Sequence, residues 1–303
     1  MHPPKVDTRW SLLSLRALVL ENAKLRITLL PELGGRIRSI IYKPRHRELL
    51  WQNPRIPPRK LPFGASYDDV WCGGWEEMFP NDAPGVIAGE SYPDHGETWA
   101  VEWDFSVERD TVALHCQTPI SGMRMAKRVA LSGDEAALSV HYRLENPTNV
   151  DFSFLWKLHA AMAIRPGCRI EFPPGATAEM EPAFPGTLTS PAEALALRET
   201  PSPESRQLHF VYATGFREAW CRVTDPHDAV ACVLQFDSEV FRSCWLFASY
   251  GGWRNYYVAV IEPATGWPFQ IEKVIERGLA RSLPAGASLE TVVTFRVEET
   301  AGG

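Results

Sequence analysis

Hydrophobic and polar residues alternate in most segments of this chain, and a period of two is typical of strands with one buried face. Two short apolar runs at positions 16–22 and 24–31 are strand-like, and the clearest alternating segments lie at 99–110, 111–119 and 123–148. About fifteen strand candidates can be counted in this way, whereas the helical period of 3.6 residues is almost absent. The pattern therefore predicts a protein made of strands, with under about 10% helix.

Turn residues divide these segments into hairpins. Asn22-Ala23 separates the first two alternating segments, and Gly133-Asp134 divides the segment 123–148. The strand candidates do not alternate with helical segments, which excludes the βαβ units of nucleotide-binding folds. No fixed repeat period is found, which disfavours a propeller. We therefore expect an all-β fold, a large antiparallel β-sandwich that residues 1–303 form as a single domain.

Two long segments interrupt the strand pattern. Residues 173–207 are rich in Pro, Ala, Glu and Ser, and we expect them to cross the surface with a short helix at 192–199. The segment 71–99 has neither a strand period nor a helical period, because turn signals recur at Gly73-Gly74, Pro80-Asn81-Asp82, Pro84-Gly85 and Tyr92-Pro93-Asp94. A loop of this length in a compact protein is usually functional or disordered, and its aromatic content argues against disorder.

The composition of segment 71–99 suggests a carbohydrate site. It contains three tryptophans, one histidine and six carboxylates, namely Trp71, Trp75, Trp99, His95, Glu76, Glu77, Asp82, Glu90, Asp94 and Glu97. The C–H face of a sugar ring packs on an aromatic ring, while charged acceptors bind its hydroxyl protons. The alternative is a structured surface loop whose tryptophans only cover the core.

Charge and cysteine content narrow the classes of partner. The chain has 31 Lys and Arg residues against 37 Asp and Glu residues, a net charge of −6, which argues against a general nucleic-acid or anionic membrane surface. Six cysteines lie far apart without a CxxC motif, as free buried thiols do. No signal peptide and no apolar run of about 18 residues is recognised. We expect a cytoplasmic protein with reduced thiols.

Three further residues outside that loop could carry chemistry. Lys157 and His159 lie two residues apart in the apolar segment 149–164, so in a strand they share one face and would be costly to bury without partners. Glu262 ends the apolar run VAVIE immediately before Pro263. Three of the candidate residues, one of them in the loop 71–99, also have simpler interpretations. His95 could cap a turn, His159 could be a hydrogen-bonded core histidine, and Glu262 could be a surface charge at a strand end.

In four places the chain resembles the galactose mutarotase-like superfamily, which contains the aldose 1-epimerases. The segment 30–37, LPELGGRI, is similar to an early strand and turn with a Gly-Gly or Gly-Ala pair. His95-Gly96 resembles the His-Gly element of the family, and His159 and Glu262 follow in the order of its second histidine and its catalytic base. The chain departs from the family at Ala160-Ala161, which replace the residues that usually follow that histidine. The family's substrate-binding aspartate cannot be placed from the sequence, and no motif supports Asp225, the residue suggested for it.

This resemblance implies a supersandwich fold and an acid–base mechanism that needs neither a metal nor a cofactor. Glu262 would remove the proton of the anomeric hydroxyl, and His159 would protonate the ring oxygen, so that the hemiacetal opens and closes on the other face. The remaining candidates would bind the sugar: His95, Arg36, Glu76, Asn81 and Lys157 through polar atoms, and Trp75 or Trp99 by stacking. The expected partner is a small sugar, and the expected state is a monomer or homodimer.

Two other functions stay open from the sequence. The same fold occurs in non-catalytic sugar-binding domains, which would have no activity to lose on substitution of Glu262 or His159. A glycoside hydrolase or polysaccharide lyase would instead use two acids of segment 71–99, such as Glu76 or Glu97. Fold alone does not decide among the three classes.

Overall fold

The computed structural model describes residues 3–184, 186, 190, 195 and 199–300. About half of the chain (49%) is strand and 6% is helix, which confirms the predicted all-β class and the expected low helix content. Most strands belong to two large antiparallel sheets of eleven and eight strands. The short helix predicted at 192–199 falls almost wholly outside the described residues.

The larger sheet carries the elements that matter most for function. Its ten strands in spatial order are β1 (Lys5–Leu12), β2 (Leu15–Glu21), β3 (Leu25–Leu30), β4 (Arg36–Tyr42), β6 (Trp75–Met78), β14 (Lys157–Met162), β21 (Tyr257–Ala264), β20 (Ser243–Tyr250), β17 (Gln207–Thr214) and β16 (Thr177–Met180). The two-residue strand β5 (Arg47–Glu48) pairs with β4 outside this order. Strands distant in sequence, β6, β14 and β21, therefore meet at the centre of the sheet.

The smaller sheet packs against the other side of the core. Its strands in spatial order are β15 (Arg169–Glu171), β18 (Trp220–Asp225), β19 (Val230–Gln235), β23 (Ser288–Glu299), β12 (Ala137–Glu145), β11 (Arg124–Leu131), β10 (Thr111–Gln117) and β9 (Asp104–Glu108). The β11–β12 pair confirms the hairpin predicted at Gly133-Asp134. Burial alternates along β12, as expected for a strand with one face in the core.

The remaining elements are short. Two small hairpin-like sheets pair β7 (Gly85–Ile87) with β8 (Glu90–Tyr92) and β13 (Phe152–Phe154) with β22 (Arg281–Leu283). The described helices are α1 (Tyr67–Val70), α2 (Ile271–Glu276) and 3₁₀ turns at Lys43–Arg45 and Pro203–Ser205. Of the helices within the described ranges, none has the length and apolar character that crossing a membrane requires.

The central strands of the larger sheet are buried on both faces. One face contributes to the main core between the sheets, where Trp75, Leu158 and Ile261 lie. The opposite face, called here the outward face, is covered by a second apolar cluster that includes Tyr67 and Trp71. Because both faces are apolar or shielded, these strands show no simple alternation of burial.

The structure corrects one element of the sequence prediction. Segment 71–99 was expected to be loop throughout, but it contains β6, which pairs with β4 and β14 in the middle of the larger sheet. β6 has only four residues, all of them buried, between Gly73-Gly74 and Pro80. A strand this short and buried on both faces leaves no periodic signal, so the turn residues on either side dominate the pattern.

Candidate active site

Polar residues occupy facing positions across the centre of the larger sheet. β6 and β14 pair Glu76 with His159. On the other side of β14, the pair Ala160 and Ile261 fixes the register with β21 and places Glu262 opposite His159. Residues opposite each other on antiparallel strands share a face, with Cβ atoms about 4.5–5.5 Å apart. The two residues expected to act as acid and base are therefore neighbours on one face.

A cavity of about 270 Å³ lies on the outward face above these strands. Its polar lining comprises Tyr67, Asp68, Asp82, Asp94, His95, Lys157, His159 and Glu262. Its apolar and aromatic lining comprises Trp71, Ala83, Pro84, Phe184, Phe210, Phe247, Trp253, Val260 and Phe269. Four of the sequence candidates, Glu262, His159, His95 and Lys157, thus meet in one cavity although they lie far apart in the chain.

Glu262 is held in place by Lys157. The Lys157 ammonium forms ion pairs with Glu262 Oε2 and with Asp82, and it lies 4.7 Å from the centre of the Trp245 ring. Burial lowers the pKa of Lys157, but the two carboxylates outweigh burial and raise that pKa overall. The ammonium therefore stays charged, and it contacts only one of the two Glu262 oxygens.

His159 is oriented from below by a tyrosine and a glutamate. The Tyr67 hydroxyl donates to Glu76 Oε1, and its oxygen lies 3.2 Å from His159 Nδ1. The same Nδ1 lies 3.5 Å from Glu76. Since the tyrosine proton is directed to Glu76, the tyrosine oxygen is left to accept the Nδ1 proton, and the opposite ring nitrogen is free for a ligand.

Arg36 completes this lower layer. Its guanidinium forms a buried ion pair with Glu76 and donates to the carbonyl of Gly73 at 2.7 Å. Burial raises the pKa of Glu76, but the charges of Arg36 and His159 outweigh burial and lower that pKa overall. Glu76 is therefore an anion, and it lies 3.5 Å from the His159 imidazole.

His95 forms part of the cavity wall beside Tyr67. Its ring stacks on the Tyr67 ring with centres 3.9 Å apart, and its Nδ1 lies 2.8 Å from Asp94 Oδ1. Burial lowers the pKa of His95, but Asp82 and Asp94 outweigh it and raise that pKa overall. The backbone of His95 is left-handed with φ of 61°. A Cβ atom at Gly96 would lie 2.2 Å from the Phe79 carbonyl oxygen, which explains the glycine that follows His95.

The structure does not bring the other predicted binding residues to the cavity. Trp75 points into the core between the sheets, where its ring centre lies 6.5 Å from that of Phe295. Trp99 packs edge-on against Tyr67 at 4.9 Å and is 1% exposed. Arg36 and Glu76 lie beneath the lining residues. Two other tryptophans, Trp71 and Trp253, line the cavity instead. The two expected tryptophans are buried by packing inside the protein.

Asn81 supports the loop above the site. Its side-chain amide donates at 2.8 Å to the carbonyls of Ala83 and Pro93, and so ties two parts of segment 71–99 together. In this structure Asn81 contacts backbone atoms of the loop, and it is not among the residues that line the cavity. Its amide fixes the loop that presents Asp82 and His95.

Two further sequence candidates lie elsewhere. Asp225 lies on β18 of the smaller sheet, where it pairs with Arg165 at 2.7 Å, and it does not line this cavity. The aspartates that line the cavity are instead Asp68, Asp82 and Asp94. Glu97 is buried and accepts hydrogen bonds from Ser121, away from the cavity. The acids proposed for a hydrolase therefore do not face each other across this site.

Sequence reasoning missed several lining residues. Tyr67 lies before Trp71, outside the segments that the sequence analysis singled out, and it begins the short helix α1. Trp253 follows Gly251-Gly252, as Trp75 follows Gly73-Gly74, so a tryptophan after a glycine pair was an available signal. The phenylalanines had no such signal, because they come from separate strands and loops.

No protein-family model matches the chain. Solved structures do resemble it. A proposed aldose 1-epimerase from Klebsiella pneumoniae is 14% identical with a TM-score of 0.77, covering 98% of this chain and 83% of its own. A galactose mutarotase-like protein from Clostridium acetobutylicum is 12% identical with a TM-score of 0.74, covering 98% of this chain and 99% of its own. A proposed aldose 1-epimerase from Escherichia coli K12 is 17% identical with a TM-score of 0.71, covering 93% and 98%.

Proposed function

We propose that this chain, which has the fold of galactose mutarotase-like proteins, is an aldose 1-epimerase-type isomerase that interconverts the α and β anomers of a sugar. One observation carries this proposal above the others. Glu262 and His159 face each other on neighbouring strands and line the same cavity. Anomer exchange needs one base and one acid placed together at the C1–O5 unit of a sugar ring.

Glu262 is the base in this proposal. Lys157 contacts Oε2, so Oε1 accepts the proton of the anomeric hydroxyl. The ion pair with Lys157 fixes the orientation of the carboxylate before the sugar binds. Asp82 is the second partner of Lys157, so the three groups Asp82, Lys157 and Glu262 together carry one net negative charge.

His159 is the acid. Its Nδ1 is engaged by Tyr67 and lies close to Glu76, so Nε2 delivers its proton to the ring oxygen as the C1–O5 bond breaks. The aldehyde turns about the C1–C2 bond, the ring oxygen then attacks the other face, and the two proton transfers reverse. After Nε2 gives up its proton, the other proton stays on Nδ1 and remains hydrogen-bonded to the Tyr67 oxygen, so the lower layer need not rearrange.

The rest of the polar half would hold the sugar hydroxyls. Asp82, Asp94 and His95 offer acceptors and a charged donor around one end of the cavity. Trp71 and Trp253, whose ring centres lie 6.2 Å apart, offer aromatic surface for the C–H face of the ring. A hydrolase is disfavoured, since Glu76 and Glu97 do not line the cavity, and a binding protein would not need the Glu262–His159 arrangement.

Exchange between anomers tests the proposal. Saturation-transfer NMR on a panel of aldoses should show enzyme-dependent exchange with the wild-type protein. Glu262→Gln keeps the shape and removes the base, so turnover should fall by at least about 10²-fold. Glu276→Gln, at an exposed position of α2, is the matched control and should keep full activity. Unchanged exchange in Glu262→Gln would contradict the proposed mechanism, and absence of exchange with every aldose would favour the binding protein.

A further inference from the structure

The cavity has two chemically unlike halves. Opposite the polar half stands a continuous aromatic surface, called here the phenylalanine wall, made of Phe184, Phe210, Phe247 and Phe269. Phe184 contacts all three of the others, with ring centres 5.5, 6.2 and 5.9 Å away. Phe210 and Phe247 also contact each other at 5.5 Å. The wall is one packed unit rather than four separate side chains.

The phenylalanine wall lies two residues along strands β20 and β21 from the position of Glu262. Glu262 and Trp245 are register partners on β21 and β20, and Val260 and Phe247 are the partners two residues away on the same face. Phe210 continues this second row on β17 as the partner of Phe247. Two residues of strand span about 6.6–6.8 Å. That separation is close to the width of one sugar ring, so a sugar held at Glu262 reaches the wall.

The wall leaves apolar surface open to the cavity. Phe184, Phe247 and Phe269 are only half-buried, whereas Phe210 is 7% exposed. Their rings offer neither a hydrogen-bond donor nor a strong acceptor to a hydroxyl group. A ligand hydroxyl pressed against them would lose its water partners without replacement, while a methyl group would gain from burial.

The charges of the site disfavour anionic sugars. Four carboxylates line the cavity, those of Asp68, Asp82, Asp94 and Glu262. Lys157 is already paired with two of them, and the charged donor His95 is paired with Asp94. Within the described part of the chain, no arginine lines the cavity, although arginine is the usual partner of a bidentate phosphate contact. A sugar phosphate or sulfonate would meet repulsion on one side and apolar rings on the other.

We propose that this site takes a neutral aldopyranose with an apolar exocyclic substituent, such as a 6-deoxyhexose, in preference to the 6-hydroxy sugar, and excludes the 6-phosphate. This inference rests on the proposed function, because it assumes that C1 and O5 lie at Glu262 and His159. The exocyclic substituent then contacts the phenylalanine wall. An extra or missing group in an apolar pocket typically changes specificity by about 10–200-fold. We therefore expect a preference of about 10-fold or more for the deoxy sugar.

Matched sugars test the preference in two independent ways. The exchange assay compares galactose with 6-deoxygalactose and glucose with 6-deoxyglucose, each beside its 6-phosphate. A binding assay on the same sugars follows the tryptophan fluorescence of Trp71 and Trp253, which needs no turnover. A deoxy preference in kcat/KM and no detectable exchange of the phosphates are the expected results. Equal or better use of the 6-hydroxy sugars, or exchange of a phosphate, would overturn the inference.

The two assays separate failure of the inference from failure of the proposed function. Deoxy-selective binding without exchange would support the wall and overturn catalysis, whereas exchange without selectivity would do the reverse. Absence of both binding and exchange would overturn both. Phe247→Tyr adds one hydroxyl to the wall and should reduce the deoxy preference by several fold. Phe63→Tyr, at a 44% exposed phenylalanine outside the cavity, should leave that preference unchanged.

Discussion

Glu76 and Glu77 are consecutive, fully buried carboxylates on β6, yet they lie on opposite faces of the larger sheet. Glu77 faces the core between the sheets, where it accepts hydrogen bonds from Lys127 at 2.7 and 2.6 Å and from Tyr142 at 2.7 Å. Glu76 faces outward, where its partners Tyr67 and His159 both line the cavity. Glu77 thus has one tyrosine and one lysine as partners, whereas Glu76 has a tyrosine, a histidine and the guanidinium of Arg36.

The clusters around Glu76 and Glu77 differ in whether a ligand can reach them. The partners of Glu77 come from β11 and β12 of the other sheet, and they are as buried as the glutamate itself. Burial raises the pKa of Tyr142 well above its ordinary value, so its hydroxyl remains a donor to the carboxylate. The Glu77 cluster can therefore only hold the two sheets together. The Glu76 cluster instead contacts His159, which lines the cavity and which a ligand can reach.

The largest expected effect concerns the closed cluster. Glu77→Gln leaves the buried ammonium of Lys127 without a counter-charge, and breaking a buried ion pair in this way typically costs about 3–5 kcal/mol of stability. Urea denaturation measures the free energy of unfolding. Glu108→Gln removes the exposed partner of Arg128 and should cost no more than about 1 kcal/mol.

Activity provides the second half of that comparison. If Glu77 is only structural, the folded fraction of Glu77→Gln should exchange sugar anomers at the wild-type rate per molecule. A loss of kcat in protein that is still folded by circular dichroism would show that the inner cluster also serves the site. The contrast between the two glutamates would then fail.

A smaller effect separates the two tyrosines. Tyr67→Phe and Tyr142→Phe each remove one hydroxyl that donates to a buried carboxylate, so each should lower the free energy of unfolding by about 1.5–3 kcal/mol. Only Tyr67 also holds the Nδ1 side of His159. Loss of one orienting hydrogen bond worth about 1.4 kcal/mol would slow anomer exchange about tenfold in Tyr67→Phe. Equal kcat values in the two variants would argue against a role for Tyr67 in positioning the acid.

Comparing the two faces of the larger sheet also shows how much of the fold could be predicted from the sequence. Strands such as β11 and β12 were predicted because each has one buried and one exposed face. β6 was missed because both of its faces are buried, and a four-residue strand between turns has no period to detect. Glu76 and Glu77 could therefore not be assigned to opposite faces before the strand was known.

The same limit applies within the candidate site. His95, His159 and Glu262 were selected from short motifs and a family resemblance, and the structure brings all three to one cavity. The phenylalanine wall was not foreseen, since register between distant strands creates it. Trp75 and Trp99 were expected at the sugar because of their loop-like surroundings, but the apolar area of an indole made core packing the stronger alternative.

The smallest expected effect is the pH dependence of stability at the cavity rim. His95, whose side chain is 16% exposed, faces the charges of Asp68, Asp82, Asp94 and Lys157, with His159 beyond. Burial lowers its pKa, but Asp82 and Asp94 outweigh burial, so the folded pKa of His95 is raised above the value of about 6.5 for an unfolded chain. A raised pKa means that the folded state binds the proton more tightly than the unfolded state.

The stabilisation from protonated His95 should therefore be complete below about pH 6.5 and should disappear as the pH rises through the folded pKa. We expect the stability gap between wild type and His95→Gln to be widest near pH 5.5 and to narrow steadily at alkaline pH, as followed by urea midpoints at several pH values. His115→Gln, at a 65% exposed side chain on the smaller sheet, provides the control. A gap that stays constant or widens with rising pH would mean that His95 is neutral in the folded protein. The site would then offer the sugar an imidazole acceptor at this position in place of a charged donor.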